Sequence, residues 1–367
     1  MKVIFFLIIP LFLIQTATAR QISLEIHPDH QAHDLQTFPV NNTILTVGDG
    51  QILFGETSLT QPLHWAVSPS GRSIASIDGR GDFGLRISDS RSQEILHNPL
   101  EFFRPDDQTL ALYLFDDARS ILRNNVANFS FLGADGTILY SVSNSSGSPE
   151  GERESQLASD RTGSTVVLYN PLILRANGNG SRAALMAGEE NRIIFFESLS
   201  HEIKSVEVSD NGSFITLVTS SGEGDTVLLF DRFGNELFSV TSSDPLSGAS
   251  LTDDGSYVTL FTSGRMQVYN TESGELLGSA SSRSRIIRAV YSPEDQLILA
   301  LGGTVRGRSI TGPTLTAVHT GLRRISREEI PYSLSLLHSD RVEITPEGRG
   351  RFVLTGLNRQ IKAEVSF

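Results

Sequence analysis

An Arg-Gly-Asp triplet lies within residues 78–84, which read DGRGDFG. At a loop tip, Arg80 and Asp82 would present a cation and a carboxylate side by side to a cell-surface receptor. Asp78 and Asp82 also have the spacing of alternate ligands in a calcium loop, although Arg80 occupies the place of the middle acid. A glycine-rich hairpin turn explains the same residues and is the interpretation we favour. Asp78, Arg80 and Asp82 are the candidate binding residues of this segment.

Three histidines, His27, His30 and His33, are spaced three residues apart near the N-terminus. Imidazole groups bind zinc or copper, so these residues are candidate metal ligands. Pro28 argues against a regular helix, and a strand would place His30 on the face opposite the other two. We therefore favour an exposed, polar lead-in segment over residues 20–40 that holds no metal.

Arginines are concentrated between residues 283 and 308, at Arg283, Arg285, Arg288, Arg306 and Arg308. If their loops share one face of the fold, they would bind an acidic or phosphorylated ligand. A scattered, solvated set is the alternative that we favour. Arg306 and Arg308 are retained as candidate binding residues because they lie in a segment, residues 302–313, that is predicted to be a loop.

Acidic residues recur at turns, as Asp210, Asp253, Asp254 and Glu294. Their repetition at one structural position favours turn chemistry, since Asp and Asn side chains bond their own backbone there. The sequence contains no nucleophile elbow, no His-Glu-x-x-His helix and no phosphate-binding loop. We therefore predict no catalytic residues and no cofactor, and an enzyme is the less favoured class.

The first 19 residues are typical of a cleaved export signal. Lys2 precedes an apolar run over residues 3–14, and Ala17-Thr-Ala19 has the form of a cleavage site. An uncleaved N-terminal anchor is the alternative. We expect a secreted or periplasmic protein, cut near Ala19, whose mature chain has no membrane span.

Composition narrows the classes of partner and of stabilisation. The formal charge is −12, which disfavours nucleic acid and anionic membrane surfaces as partners. There is no cysteine, so packing and strand closure have to stabilise the exported chain without disulfides. We expect a monomer.

Two stretches of the chain, residues 205–238 and 248–277, have the same pattern of apolar runs and turns. A repeat of about 40 residues with four short strands is the signature of a β-propeller blade. Residues 215–218 and 258–261 are apolar on both faces, and such a strand has to be covered on both. Neighbouring blades would supply that cover. A β-sandwich array is the alternative, but it would alternate more cleanly between apolar and polar residues.

Turn signals along the chain, near Gly71, Gly136, Gly212, Gly255 and Gly348 among others, set the expected number of blades. The fold class that we predict is all-β, a β-propeller over residues 41–367 with about seven four-stranded blades, six or eight being possible. Residues 143–164, rich in Ser, Gly and Glu, are predicted to form a long hydrophilic loop.

The repeat resembles that of WD-repeat and quinoprotein-like propellers. The turns at residues 68–71 (SPSG), 209–212 (SDNG), 252–255 (TDDG) and 292–295 (SPED) resemble the "S-P-D-G" turn of WD repeats, and residues 268–277 (VYNTESGELL) resemble their following strand pair. The naming Trp-Asp dipeptide is absent, since the single Trp65 precedes Ala66. The quinoprotein ending Leu-Trp is replaced by Leu237-Phe238 and Leu276-Leu277. The resemblance implies a WD-like propeller and no particular activity.

We expect an exported, non-catalytic propeller that binds a protein, peptide or glycan on a loop-rich face. The alternative is a propeller hydrolase or lactonase with a metal held by Asp, Glu and His in the central channel, and a third class is a cell-surface assembly component. Propellers support both binding and catalysis, so the fold by itself does not decide between them.

Overall fold

A computed structural model of the chain describes the following residues: 22–26, 36–40, 43–48, 51–78, 84–99, 111–123, 128–143, 155–175, 178–187, 192–198, 202–221, 224–337 and 342–367. The predicted export signal and the three histidines lie outside them. The described part of the chain consists of strands and turns and contains no helix of the length and hydrophobicity needed to cross a bilayer.

Eight antiparallel sheets follow one another along the chain, and we call them blades 1 to 8. Blade 1 contains β2 (Gln36–Val40), β3 (Thr43–Gly48), β4 (Gln51–Phe54) and β5 (Thr57–Thr60). Blade 2 contains β6 (Pro62–Val67), β7 (Ser73–Asp78), β8 (Gly84–Asp89) and β9 (Glu94–Pro99). Blade 3 contains β10 (Ala111–Leu114), β11 (Ser120–Arg123), β12 (Asn128–Leu132) and β13 (Ile138–Ser143). Blade 4 contains β14 (Gln156–Ser159), β15 (Thr165–Arg175), β16 (Gly178–Ala187) and β17 (Arg192–Ser198).

The second half of the chain repeats the arrangement. Blade 5 contains β18 (Glu202–Val208), β19 (Phe214–Ser221), β20 (Gly224–Asp231) and β21 (Glu236–Ser242). Blade 6 contains β22 (Leu246–Leu251), β23 (Tyr257–Thr262), β24 (Arg265–Asn270) and β25 (Leu276–Ser281). Blade 7 contains β26 (Ile286–Ser292), β27 (Leu297–Arg306), β28 (Ser309–His319), β29 (Arg324–Glu329) and the short β30 (Leu334–Ser335), which pairs with β28. Blade 8 contains β31 (Glu343–Gly348), β32 (Arg351–Thr355), β33 (Ile361–Val365) and β1 (Ile22–Ile26).

The first strand of each blade is the innermost. Contacts between successive blades join β18 to β22, β22 to β26 and β26 to β31, which places these strands around a common axis. Because neighbouring strands are antiparallel, the turns from strand 1 to 2 and from 3 to 4 lie at one end of that axis. We call this end the lower face. The turns from strand 2 to 3 and the linkers between blades lie at the other end, the upper face.

The N-terminal strand β1 completes the last blade. Ile22 pairs with Val365 and Ile26 with Ile361, so the two ends of the chain share one sheet. The predicted lead-in at residues 20–40 therefore contributes β1 to blade 8 and β2 to blade 1. The segment forms a strand and not an exposed lead-in because apolar and polar residues alternate along it. Ser23 separates Ile22 from Leu24, as in a strand with one buried face. Ile22 and Phe38 are both almost fully buried.

The hydrophobic core lies between the blades. Ile215 and Leu217 pack in a cluster with blade 4, whereas Val218 on the same strand packs in a cluster with Val258 and Leu260 of blade 6. The prediction that these strands are covered on both faces is confirmed. Further clusters join each pair of successive blades from 1 to 8, and Leu337, in the linker before blade 8, packs with Phe38 of blade 1.

The described residues form eight blades, which is within the predicted range and one above the estimate of seven. The turn at Gly136 joins the third and fourth strands of blade 3, although the sequence suggested that it opened a blade. The first turn of blade 3 was missed because Ala118 occupies its left-handed position (φ 67°), where the pattern expects glycine. The predicted hydrophilic loop at residues 143–164 contains β14 and the first turn of blade 4, so its second half belongs to the sheet.

Candidate functional site

Two turns of the lower face show how a repeated sequence places carboxylates. In residues 209–212 the amide of Gly212 donates to the carbonyl of Ser209 (2.8 Å), and Asn211 Oδ1 accepts from the amide of Ser213 (2.9 Å). Gly212 has φ 70°, a conformation in which a side chain would be strained. The third residue of the turn thus closes it, as the turn interpretation predicted.

The following blade repeats this geometry with Asp254 in the third position. Asp254 Oδ1 accepts from the amide of Ser256 (3.0 Å) and from the hydroxyl of Thr252 (2.7 Å). The second residue of each turn, Asp210 or Asp253, is exposed and lines a cavity instead. Within these two turns the interpretation as turn chemistry was therefore right for Asn211 and Asp254, whereas Asp210 and Asp253 face the cavity.

A cavity of 540 Å³ opens at the lower face, among the inner strands and turns of blades 4 to 8, and Pro69 of blade 2 also lines it. Its lining contains eight carboxylates and two guanidinium groups. The carboxylates belong to Asp160, Glu207, Asp210, Asp253, Asp254, Glu294, Glu343 and Glu347, and the guanidinium groups to Arg161 and Arg288. We call this surface the acidic mouth. It is an open, negatively charged recess at the axis of the propeller.

Arg288 and Glu207 form a two-pronged ion pair in the wall of the cavity. Arg288 Nη1 donates to Glu207 Oε2 and Nη2 donates to Oε1, both at 2.7 Å. Their side chains are only 20% and 15% exposed, and they come from blades 7 and 5. The pair reaches past the inner strand of blade 6, where Ser250 is small and donates to the carbonyl of Ala289 (2.7 Å). Burial lowers the pKa of Arg288, but the carboxylates of Glu207, Glu343 and Asp210 outweigh it and raise the pKa.

Asp210 is the carboxylate most affected by its neighbours. Partial burial raises its pKa, Arg161 lowers it through an ion pair of 2.8 Å, and Asp253, Glu343 and Glu207 raise it again. The net direction is upward. The carboxylates of the acidic mouth therefore repel one another, and a cation placed among them would relieve that repulsion.

Asp160, like Asp254, has a carboxylate that is occupied by hydrogen bonds from its own turn. Its Oδ1 accepts from the amide of Thr165 (2.8 Å), and its Oδ2 accepts from the hydroxyls of Thr162 (2.5 Å) and Ser164 (2.9 Å). Asp160 is 3% exposed. Its role is to hold the turn of blade 4, which places Arg161 beside Asp210.

The residues proposed from sequence are distributed over both faces. Asp78 ends β7 on the upper face of blade 2, while Arg80 and Asp82 lie outside the described residues. Arg306 and Arg308 are on the upper face of blade 7, so blades 1 and 8 separate them from Asp78. The structure therefore does not join Asp78 and these two arginines in one site.

The arginine concentration at residues 283–308 is divided by the fold. Arg283, Arg285, Arg306 and Arg308 lie on the upper face of blade 7, whereas Arg288 lies inside the channel with Glu207. The sequence favoured a scattered arrangement of these arginines. Only Arg288 is separated from the others, and the remaining four share the upper face.

Metal binding is untested for His27, His30 and His33, which lie outside the described residues. Within the described ranges, no group of three or more His, Asp or Glu side chains has a geometry that would hold a metal ion.

Sequence reasoning missed Arg161, Glu207, Glu343 and Glu347 as members of the acidic mouth. Glu207 lies between Val206 and Val208, which are both buried, so a charge in an otherwise buried inner strand was the available signal. Glu347 lies near the end of β31, next to the turn at residues 349–350.

No protein-family model and no curated protein matches the chain by sequence. Solved structures do match. The WD40 domain of SCAP from fission yeast has a TM-score of 0.54 at 12% identity, over 94% of this chain and 98% of that chain. The Dos1 propeller has a TM-score of 0.53 at 12% identity, over 90% of this chain and 88% of that chain. BamB from Moraxella catarrhalis has a TM-score of 0.50 at 14% identity, over 93% of this chain and 98% of that chain.

The chain has a WD-like propeller fold. At these identities the likenesses show the fold alone. They confirm the resemblance to WD-repeat and quinoprotein-like propellers at the level of the fold.

Proposed function

We propose that this chain is an exported, non-catalytic propeller that binds a polypeptide through basic side chains placed in the acidic mouth. The observation that carries the proposal is the cavity of 540 Å³, whose lining holds eight carboxylates against two guanidinium groups. The export signal read at residues 1–19 supports the compartment.

Charge selects the class of ligand. A recess walled by protein concentrates the field of its carboxylates, which attracts lysine and arginine side chains and raises the rate of encounter. A neutral glycan would gain nothing from that field, and it would have to be bound by other groups. Of the ligand classes expected from the sequence, a basic peptide or protein segment fits best.

The rigidity of the site favours recognition. Asp210 and Asp253 are carried by turns whose backbone is closed by hydrogen bonds, and these turns join strands of the core. Carboxylates held in this way lose little freedom on binding, so more of the interaction energy appears as affinity.

The proposal is tested with the mature chain and a fluorescently labelled octalysine peptide, by anisotropy at low and at high salt. We expect salt-sensitive binding that the double variant Asp210→Asn/Asp253→Asn weakens by about tenfold, because two carboxylates of the mouth are removed. A charge-matched control, Asp244→Asn/Glu329→Gln, removes two exposed carboxylates from the upper face.

Equal loss of affinity in the two double variants would mean that the peptide responds to net charge only, and it would overturn the assignment of the site. Absence of binding by the unmodified chain would overturn the proposed ligand class. Circular dichroism of each variant shows that the fold is kept.

A further inference from the structure

The connections at the upper face of blades 6 to 8 are rich in arginine. Four of these connections lie wholly within the described residues, at 262–265, 282–285, 303–312 and 355–360, and a fifth, the linker before blade 8, is described over residues 330–337. The described residues of these connections contain six arginines and no aspartate or glutamate. The arginines are Arg265, Arg283, Arg285, Arg306, Arg308 and Arg359. We call this surface the arginine face.

Backbone hydrogen bonds join these connections into a continuous surface. The bonds run from the amide of Ser282 to the carbonyl of Gly264 (2.8 Å), from Gly303 to Arg285 (2.9 Å), from Leu336 to Arg308 (2.8 Å) and from Asn358 to Ser335 (2.9 Å). Each connection is thus bonded to the next across the boundaries between blades. The six arginines share one fixed surface and do not belong to independent loops.

The most prominent part of the arginine face is the hairpin between β27 and β28. The sequence suggested a loop at residues 302–313, but strand pairing continues to Arg306 and Ser309. Ile310 in this hairpin is fully buried, and its partner Leu334 in β30 is buried as well. The tip that presents Arg306 and Arg308 is therefore anchored to the core.

Five of the six arginine side chains are available to a ligand. Arg265, Arg283, Arg285, Arg306 and Arg308 are all exposed, and no carboxylate of the described residues forms an ion pair with them. Arg359 stacks over the ring of Tyr332, 4.4 Å from its centre. The nearest acids along the chain are Glu328 and Glu329, at the end of β29.

We propose that the arginine face binds an acidic segment of a partner polypeptide. Every cation in the five connections is arginine, whose planar guanidinium donates two parallel hydrogen bonds to a carboxylate. The arginine face is bounded by a chain of net charge −12, which repels extended polyanions such as nucleic acid and anionic bilayers. A short acidic segment needs only the local surface. This interaction is independent of the acidic mouth, which lies at the other end of the axis.

The test uses the full mature chain and a labelled octaglutamate peptide, again by anisotropy. We expect Arg306→Gln/Arg308→Gln to weaken binding by about tenfold, because two bidentate contacts are lost. The matched control is Arg324→Gln/Arg351→Gln, which changes two exposed arginines at lower-face strand starts and is expected to leave the affinity within about twofold. Should the first variant fail to fold, Arg283→Gln/Arg285→Gln tests the same surface through a linker.

Three other outcomes would overturn the proposal. The first is failure of the unmodified chain to bind octaglutamate, or an equal loss in the control variant. The second is tighter binding to phosphatidylserine vesicles or duplex DNA than to the peptide. The third is concentration-dependent self-association, seen by sedimentation and abolished by Arg306→Gln/Arg308→Gln, which would assign the arginine face to a second copy of this chain.

Discussion

The acidic mouth and the arginine face share blades 6 to 8 but lie at opposite ends of the axis, and they differ in how their charges are held. The carboxylates of the acidic mouth line one cavity. Three acidic neighbours raise the pKa of Asp210 there, and the side chain of Arg288 is only 20% exposed. The arginines of the upper face are spread over exposed connections. Charge that is crowded and partly buried affects stability, whereas charge that is spread and solvated is available for binding at little cost.

The largest expected change in the free energy of unfolding comes from a glycine substitution in a turn of the lower face. Gly255 lies in a lower-face turn with φ 70°, and a Cβ there would overlap the ring of Phe214. Gly255→Ala is expected to lower the free energy of unfolding by about 3 kcal/mol, from backbone strain and overpacking together. Urea denaturation measures it.

The matched change on the arginine face is Gly307→Ala. Gly307 has φ 59°, but no atom lies within 4 Å of an added Cβ. Only the backbone cost of about 1 kcal/mol is expected. Equal losses in Gly255→Ala and Gly307→Ala would show that the lower-face turns are no more tightly packed than the upper-face hairpin.

The next effect concerns the two kinds of arginine. Arg288→Met is expected to lower the free energy of unfolding by about 2 kcal/mol, because Glu207 would remain enclosed without its partner. Arg308→Met, on the exposed tip, is expected to change it by less than about 0.5 kcal/mol. Adding Glu207→Gln to Arg288→Met should restore part of the loss. The two side chains do not compensate each other's charge if the loss of unfolding free energy in Arg288→Met/Glu207→Gln equals the sum of the losses in the two single variants.

The smallest effect is a pH dependence that belongs to the acidic mouth alone. The pKa of Asp210 is raised, so the folded chain holds this proton more tightly than the unfolded chain does. The associated stability is present below the ordinary pKa of aspartate and is lost as pH rises through the raised value. At neutral pH the ionised Asp210 therefore costs stability.

Asp210→Asn is accordingly expected to raise the melting temperature slightly at pH 7 and to have no such effect at pH 3. The ion pair with Arg161 is half exposed and offsets little of this gain. Thermal unfolding of this variant and of Asp244→Asn at both pH values is the measurement. If Asp210→Asn stabilises the fold and also abolishes octalysine binding, the charge of the acidic mouth serves binding and lowers stability.

Much of the fold was predictable because its signals are local. The repeat at residues 205–277 predicted strands covered on both sides, and Ile215, Leu217 and Val218 are covered in that way. The strands β1 and β2 were missed because they lie in the polar segment at residues 20–40, whose composition is typical of an exposed lead-in. Blade 3 was misassigned because Ala118 replaces the expected glycine.

The candidate site was predictable only in part. The turn interpretation was correct for Asn211 and Asp254, whose side chains bond the backbone two residues ahead. Nothing within those turns reveals that Asp210 and Asp253 face a shared cavity. Whether these two carboxylates share a cavity depends on how the inner strands of neighbouring blades are oriented around the axis.

The sequence by itself determined the strand period, the repeat and the chemistry of the turns, because each rests on interactions within a few residues. The tertiary structure alone decided which charges meet. Arg288 and Glu207 are 81 residues apart in the chain and are joined by the closure of the propeller around its axis. The same closure separates Arg288 from Arg285, three residues away, by sending one into the channel and the other to the arginine face.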